Sequence, residues 1–167
     1  MRTHSLILFC MLLILPTLSV GADQLQDGID AYFKGDYAQA ISLFRPLAEQ
    51  GHADAQYRLG IMYQKGQGLH QDYTQAALWY RKAAEQGVTM AQAGLSYLYA
   101  TGRGVYQDYV LGYMWINLAV ALHPTDGRLD EITGLRNSIA DLMTPAQIAE
   151  ARKFSLDWLH KFQQQRK

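Results

Sequence analysis

The chain has 167 residues, 15 basic and 15 acidic side chains, and no formal net charge at pH 7. That balance excludes the basic footprint of a nucleic-acid binder. The single cysteine, Cys10, lies in an apolar run near the start, which leaves no material for a cysteine-based metal or nucleophile site in the remainder.

Residues 1–22 predict a secretory leader. Met1 to His4 form a short basic start, Leu6 to Leu15 an unbroken apolar run, and Pro16 ends it. Val20-Gly21-Ala22 then places small residues before a cut ahead of Asp23. The apolar run is short for a bilayer span, so no stable membrane span is expected after cleavage. The exported domain is expected over 23–162, in the periplasm or secreted. Export would permit disulfides, but loss of Cys10 leaves packing alone to hold the fold.

The first unit, about 24–51, ends in `GDYAQAISLFRPLAEQG` from Gly35 to Gly51. The second, 52–87, ends in a matching `QDYTQAALWYRKAAEQG` from Gln71 to Gly87. The offset of 36 also relates Asp36-Tyr37 to Asp72-Tyr73 and Asp108-Tyr109, and Ala55-Gln56 to Ala91-Gln92. Such a period belongs to two-helix solenoid units, each hiding its apolar face only by stacking on the next.

In the central unit, Ala55, Leu59, Gly60, Met62 and Tyr63 form the face of a first helix. Glycine costs roughly 1 kcal/mol against alanine in a helix interior, so Gly60 predicts a close approach that admits no side chain. Asp72 is placed to cap a second helix whose face is Ala76, Trp79, Tyr80, Ala83 and Ala84. Gly87 stands at a left-handed helix end. The connection from Lys65 to Asp72, and its counterpart from Thr101 to Asp108, each hold two glycines. With no strand before and no G-K-[ST] after, they read as a chain reversal plugged by Leu69 or Val105 and not as a phosphate loop.

The third unit, 88–122, keeps Ala91, Leu95, Tyr99, Asp108, Trp115 and Ala119 in register but carries Ser96 for Gly60 and Gly112 for Ala76. A cap follows over 125–162. Its first helix starts at Thr125 or Asp126 and ends near Leu142, with Leu129, Ile132, Leu135, Ile139 and Leu142 on one stripe. Thr144-Pro145-Ala146-Gln147 is a helix start. The last helix carries Ile148, Ala151, Phe154 or Ser155, Trp158 and Leu159 toward the open edge of the third unit.

The pattern A-x-x-x-L-G-x-x-Y-x-x-G-x-G-[VL]-x-x-D-x-x-x-A-x-x-W-[YF]-x-K-A-A-x-x-G resembles the Sel-one-like repeat, a relative of the tetratricopeptide repeat. Ala55, Leu59, Gly60, Tyr63, Gly66, Gly68, Leu69, Asp72, Ala76, Trp79, Tyr80, Lys82, Ala83, Ala84 and Gly87 carry it in the central unit. The resemblance implies an all-α fold, a right-handed α/α solenoid of antiparallel helix pairs with a C-terminal capping helix pair. It also implies a non-catalytic protein- or peptide-binding scaffold of the bacterial cell envelope, monomeric on its own. One secreted, cysteine-rich branch is linked to penicillin-like compounds, which keeps an alternative in view: an envelope enzyme or binder acting on peptidoglycan-derived or β-lactam-like small molecules.

Chemistry-bearing residues do not converge in the sequence. His52, His70, His123 and His160 lack H-E-x-x-H spacing, and Ser42, Ser96, Ser138 and Ser155 fall in helical contexts. No catalytic, cofactor or metal residues are expected. The candidate partner-binding residues lie on first helices. Asp30, Arg58 and Gln92 are expected to face outward on an inner surface, with Tyr57 and Tyr97 as flat apolar area and Arg58 as a fork for a carboxylate or carbonyl.

Overall fold

The computed structural model describes residues 15–122 and 127–165, with side chains from Gly21 onward. Most of the expected leader, and the expected helix start at Thr125 or Asp126, lie outside the described residues. The described chain folds into α1 (Leu15–Phe33), α2 (Tyr37–Glu49), α3 (Ala53–Lys65), α4 (Tyr73–Glu85), α5 (Thr89–Thr101), α6 (Tyr109–Leu122), α7 (Leu129–Ala140) and α8 (Pro145–Gln165). The junction between Ala22 and Asp23 falls inside α1.

Consecutive helices pack as antiparallel pairs, and each pair stacks on the next, which makes an all-α solenoid. The second helices start on carboxylate caps 36 residues apart. Asp36 accepts from the Gln39 amide at 3.0 Å, Asp72 from Thr74 and Gln75 at 2.8 and 3.0 Å, and Asp108 from Leu111 at 2.9 Å. Each satisfies amides that a helix start leaves orphaned.

The core is staggered across pairs. Neighbouring residues on α4 face opposite ways. Trp79 joins Phe44, Leu59 and Met62 of the preceding layer, whereas Tyr80 joins Leu95, Leu98 and Leu118 of the next. Trp115 and Ile116 divide in the same way on α6. A helix covered on two sides must be apolar on two faces, which explains why α6 is buried at almost every position from Gly112 to Ala119. Ala55 shares the Trp79 layer, whereas Ala83, on the same helix as Trp79, belongs to the Tyr80 layer.

The paired glycines divide their work. Gly66 and Gly102 end α3 and α5 in the left-handed region, at φ 68° and 69°. Gly68 and Gly104 lie directly on the preceding second helix: a β-carbon on Gly68 would come within 2.7 Å of Tyr37 Cβ, and one on Gly104 within 2.5 Å of the Thr74 nitrogen. Leu69 and Val105 pack beside them as plugs.

The C-terminal helices both pack on α6, and α7 also touches α5. Ile132 and Ile139 are buried on α7, but the helix stops at Ala140 and Leu142 is 62% exposed. The turn bonds Leu142 N to Ile139 O and Met143 N to Ala140 O take the chain off the helical path before residue 142, so Leu142 leaves the apolar stripe. Helix α8 starts as its residues predict: Thr144 N donates to Gln147 Oε1 at 2.8 Å, and Gln147 N donates back to Thr144 Oγ1 at 3.3 Å. Of the alternatives on α8, Ser155 is buried and Phe154 is 38% exposed. Trp158 meets Trp115 edge-on at 5.9 Å and stacks on Phe162 at 4.6 Å.

Candidate partner-binding groove

Helices α3 and α5 are first helices of successive pairs and touch directly. Between the start of α3 and the turn into α5 lies a groove of about 390 Å³, lined by Asp54, Tyr57, Arg58, and Gln86 through Met90. Its wall on the α5 side begins at Val88, whose side chain offers the helix start no cap. Thr89, the first residue of α5, is 6% exposed, and its Oγ1 has no hydrogen-bond partner among the described residues. Such a buried, unpaired hydroxyl costs about 1–3 kcal/mol.

Tyr57 stands half-buried in the wall of this groove. Its ring lies 6.0 Å from that of Tyr80, and its phenol shares a hydrogen bond with Arg128, from the turn just before α7. Burial pushes the Tyr57 phenol above its ordinary pKa, while the Arg58 and Arg128 guanidiniums pull it back. Arg58 is half-buried, with Cζ 5.9 Å from the ring centre of Phe33, which is 74% exposed at the end of α1. An exposed ring, a guanidinium fork and a half-buried tyrosine thus follow one another from α1 to α3.

The other expected residues separate. Asp30 is exposed on α1 and accepts from Gln26 Nε2 at 2.8 Å. Tyr97 is half-buried and turned to the connection edge, where Arg103 Nη1 donates to its hydroxyl at 2.9 Å and to Tyr73 at 3.3 Å. Gln92 does not face outward. It is fully buried, and its Nε2 donates to the Ala84 carbonyl at 3.2 Å. Gln56, one period earlier, does the same to Ala48 at 3.0 Å. The recurring Ala-Gln pair is a device that ties each first helix to the carbonyl end of the helix before it, where terminal carbonyls lack intrahelical partners.

Phe33, Thr89, Arg103 and Arg128 are absent from the sequence-based candidates. Arg103 had a signal: it sits between paired glycines in the register of Gln67, which in turn bridges the hydroxyls of Tyr32 and Tyr37 at 2.9 and 3.0 Å. Arg128 had none, because its meeting with Tyr57 spans two repeats.

A larger cavity of about 750 Å³ lies against the α5–α6 connection, beside Arg81, Tyr99 and Tyr106. Its Arg81 donates to the Tyr99 hydroxyl at 2.6 Å, and most of its remaining wall comes from the connection between Gly102 and Asp108. Among the described residues no group of three His, Cys, Asp or Glu side chains is placed to hold a metal ion, and no helix is long and apolar enough to cross a membrane.

Comparison with known proteins supplies the remaining constraint. No protein of curated function matches the sequence. The crystal structure of a protective antigen present in uropathogenic Escherichia coli strains, displaying an SLR fold, is 31% identical with a TM-score of 0.75, covering 85% of this chain and 30% of that one. A Sel1 repeat protein from Oxalobacter formigenes is 27% identical with a TM-score of 0.56, covering 71% of this chain and 54% of that one. The chain therefore spans less than a third of the antigen and about half of the Oxalobacter protein. The Sel1 repeat model matches residues 22–52, 53–88 and 89–123, more than half of the sequence. The fold is an all-α repeat solenoid, and the chain belongs to the Sel1 repeat family.

Proposed function

We propose that this chain is exported by cleavage before Asp23 and acts in the bacterial envelope, binding a protein or peptide partner along the surface of its first helices. The observation that carries this reading is the placement of Tyr57 and Arg58 in one groove between successive repeats, with Phe33 exposed beside them. Aromatic rings and arginine are the side chains most enriched where partners are held. The near-neutral charge favours a polypeptide over an anionic polymer. Kinship with a protective antigen of a Gram-negative bacterium supports an extracytoplasmic setting.

Capture of envelope proteins by the wild type, Arg58→Glu and Tyr97→Ala tests the reading, after each variant is shown to melt cooperatively. Arg58→Glu is expected to reduce capture. Tyr97→Ala is expected to reduce it less, since Tyr97 is already held by Arg103. Equal capture by all three would reject this surface as the binding face. Mass measurement of protein from the envelope fraction checks export, and an intact Met1 would overturn it.

A further inference from the structure

We infer that Phe162, near the end of α8, is a positioning residue for the α3–α5 groove. Its ring fixes the turn that forms part of the groove wall, so docking of the C-terminal helix and occupancy of the groove are coupled. This inference rests on the peptide-binding reading above and names how that site is controlled. The turn from Gln86 to Val88 serves two surfaces. It lines the groove together with Asp54, Tyr57 and Arg58. It also carries the half-buried Phe162 ring, since a β-carbon on Gly87 would come within 2.9 Å of Phe162 Cζ. The ring stacks on Trp158 at 4.6 Å, and Trp158 meets Trp115 of α6 at 5.9 Å. A chain of ring contacts thus runs from the third repeat through α8 to the groove wall.

The equivalent turn one unit earlier shows what the ring adds. Gly51 has nearly the same φ, 97° against 90° at Gly87. Its bond from N to Ala48 O, 3.1 Å, matches that from Gly87 N to Ala84 O, 3.0 Å. Yet a β-carbon on Gly51 would meet nothing within 4 Å. Local sequence therefore shapes both turns, and Phe162 is not needed for the shape. The ring acts instead on where the turn stands against α3. One other tie bears on that placement: Gln86 Nε2 donates to Gln56 Oε1 at 2.8 Å and to the Gly51 carbonyl at 3.0 Å. Gln86 is exposed, so water competes for those bonds, whereas it does not replace an apolar ring contact. A cavity of about 290 Å³, lined by Glu85, Trp158, Lys161, Phe162 and Gln165, gives the ring room to swing off Gly87. A partner that fits the groove with the ring seated strengthens the seat in return, by the same factor.

The test uses the whole exported chain, which contains no cysteine after residue 22, so one introduced thiol carries a single label. Asp54→Cys with a solvent-sensitive fluorophore reports on the groove, and Ser42→Cys on α2 is the control. Phe162→Ala is expected to shift the emission of the first label and leave the second unchanged. Hydrogen exchange at the bonded amides of Gln86, Gly87 and Val88 should quicken about tenfold, with α2 and α3 unaffected. Phe162→Leu, which keeps an apolar contact, should return both readouts most of the way to wild type. Capture of envelope proteins should fall with Phe162→Ala, and adding Phe162→Ala to Arg58→Glu should lower it no further, because both act on one groove. An unmoved groove label with unchanged exchange at the turn would overturn the inference. So would exchange that quickens equally in every helix, which is the mark of a general stability residue, or full capture by Phe162→Ala. If the wild type itself captures nothing, the peptide-binding reading fails, while the label and the exchange rates still decide whether Phe162 places the wall.

Discussion

One edge of the Tyr80 ring lies directly against the backbone of Gly60: a β-carbon at residue 60 would overlap Tyr80 Cδ1 and stand 2.6 Å from Cε1. The other edge of the same ring meets Gly94, where an added β-carbon would come within 2.9 Å of Cε2. One aromatic side chain on α4 is thus held between glycines of two first helices, α3 and α5. The first unit repeats the contact with Phe44 over Gly28. The third unit replaces it: Ser96 stands where the glycine would be, and its Oγ donates to the Gly112 carbonyl at 2.7 Å. Its two departures from the repeat pattern therefore pair with each other.

Gly60→Ala gains roughly 1 kcal/mol of helix propensity but forces the Tyr80 ring from its seat, at about 1–3 kcal/mol of overpacking. Net destabilisation is expected in urea unfolding. In combination with Tyr80→Ala the alanine should become neutral or stabilising. Additive effects of the two substitutions would show that the ring does not rest on Gly60.

Trp79 is buried against the first repeat, with Lys82 Nζ 4.3 Å from its ring centre. Trp79→Ala is expected to cost about 3–5 kcal/mol, as large aromatic deletions do. In so short an array the loss should unfold neighbouring units together. Denaturant titration read by both far-ultraviolet dichroism and tryptophan fluorescence checks this, and a loss under about 1 kcal/mol would contradict the packing.

Removal of the chain from Thr144 onward strips Trp158 from Trp115 and removes buried Ala151 and Ser155 from the third repeat. Ser155 Oγ also donates to the Met114 carbonyl at 3.3 Å. The shortened protein should aggregate or lose its cooperative melt, because an apolar face of α6 is uncovered. A monomer with an unchanged midpoint in light scattering and calorimetry would make α8 an appendage.

Stability should fall in alkali through Tyr80. Burial pushes its phenol well above the ordinary value, with the nearby phenols of Tyr57 and Tyr32 adding to the shift. Below pH about 10 the folded and unfolded chains both hold this proton, and the contribution is constant. Above it the unfolded chain releases the proton while the folded chain keeps it, so stability drops by about 1.4 kcal/mol per pH unit. Tyr80→Phe should remove that part of the slope, and should cost about 1 kcal/mol at neutral pH for the lost bond to Gln64. Parallel slopes for the two proteins between pH about 10 and 11 would exclude the effect.

The repeat, its helix pairs, the Asp36, Asp72 and Asp108 caps and the Thr144 start are all written locally. A cap or a left-handed glycine acts within four residues, and an apolar stripe recurs at the helical period, so residues alone dictate these features. Which face each stripe meets is another matter. The register of Gln92 predicts an outward polar residue, yet it is sealed against Ala84, with its Nε2 on the carbonyl and its Oε1 unpaired among the described residues. Leu142 looked like a core residue, yet the turn after Ala140 carries it into solvent. The groove itself belongs wholly to tertiary structure. Arg128 reaches Tyr57 from two repeats away, and the uncapped start of α5 opens beside Arg58 only because α3 and α5 stack. Sequence spacing encodes the repeating unit; the stacking of units decides which side chains are left facing one another across the space between them.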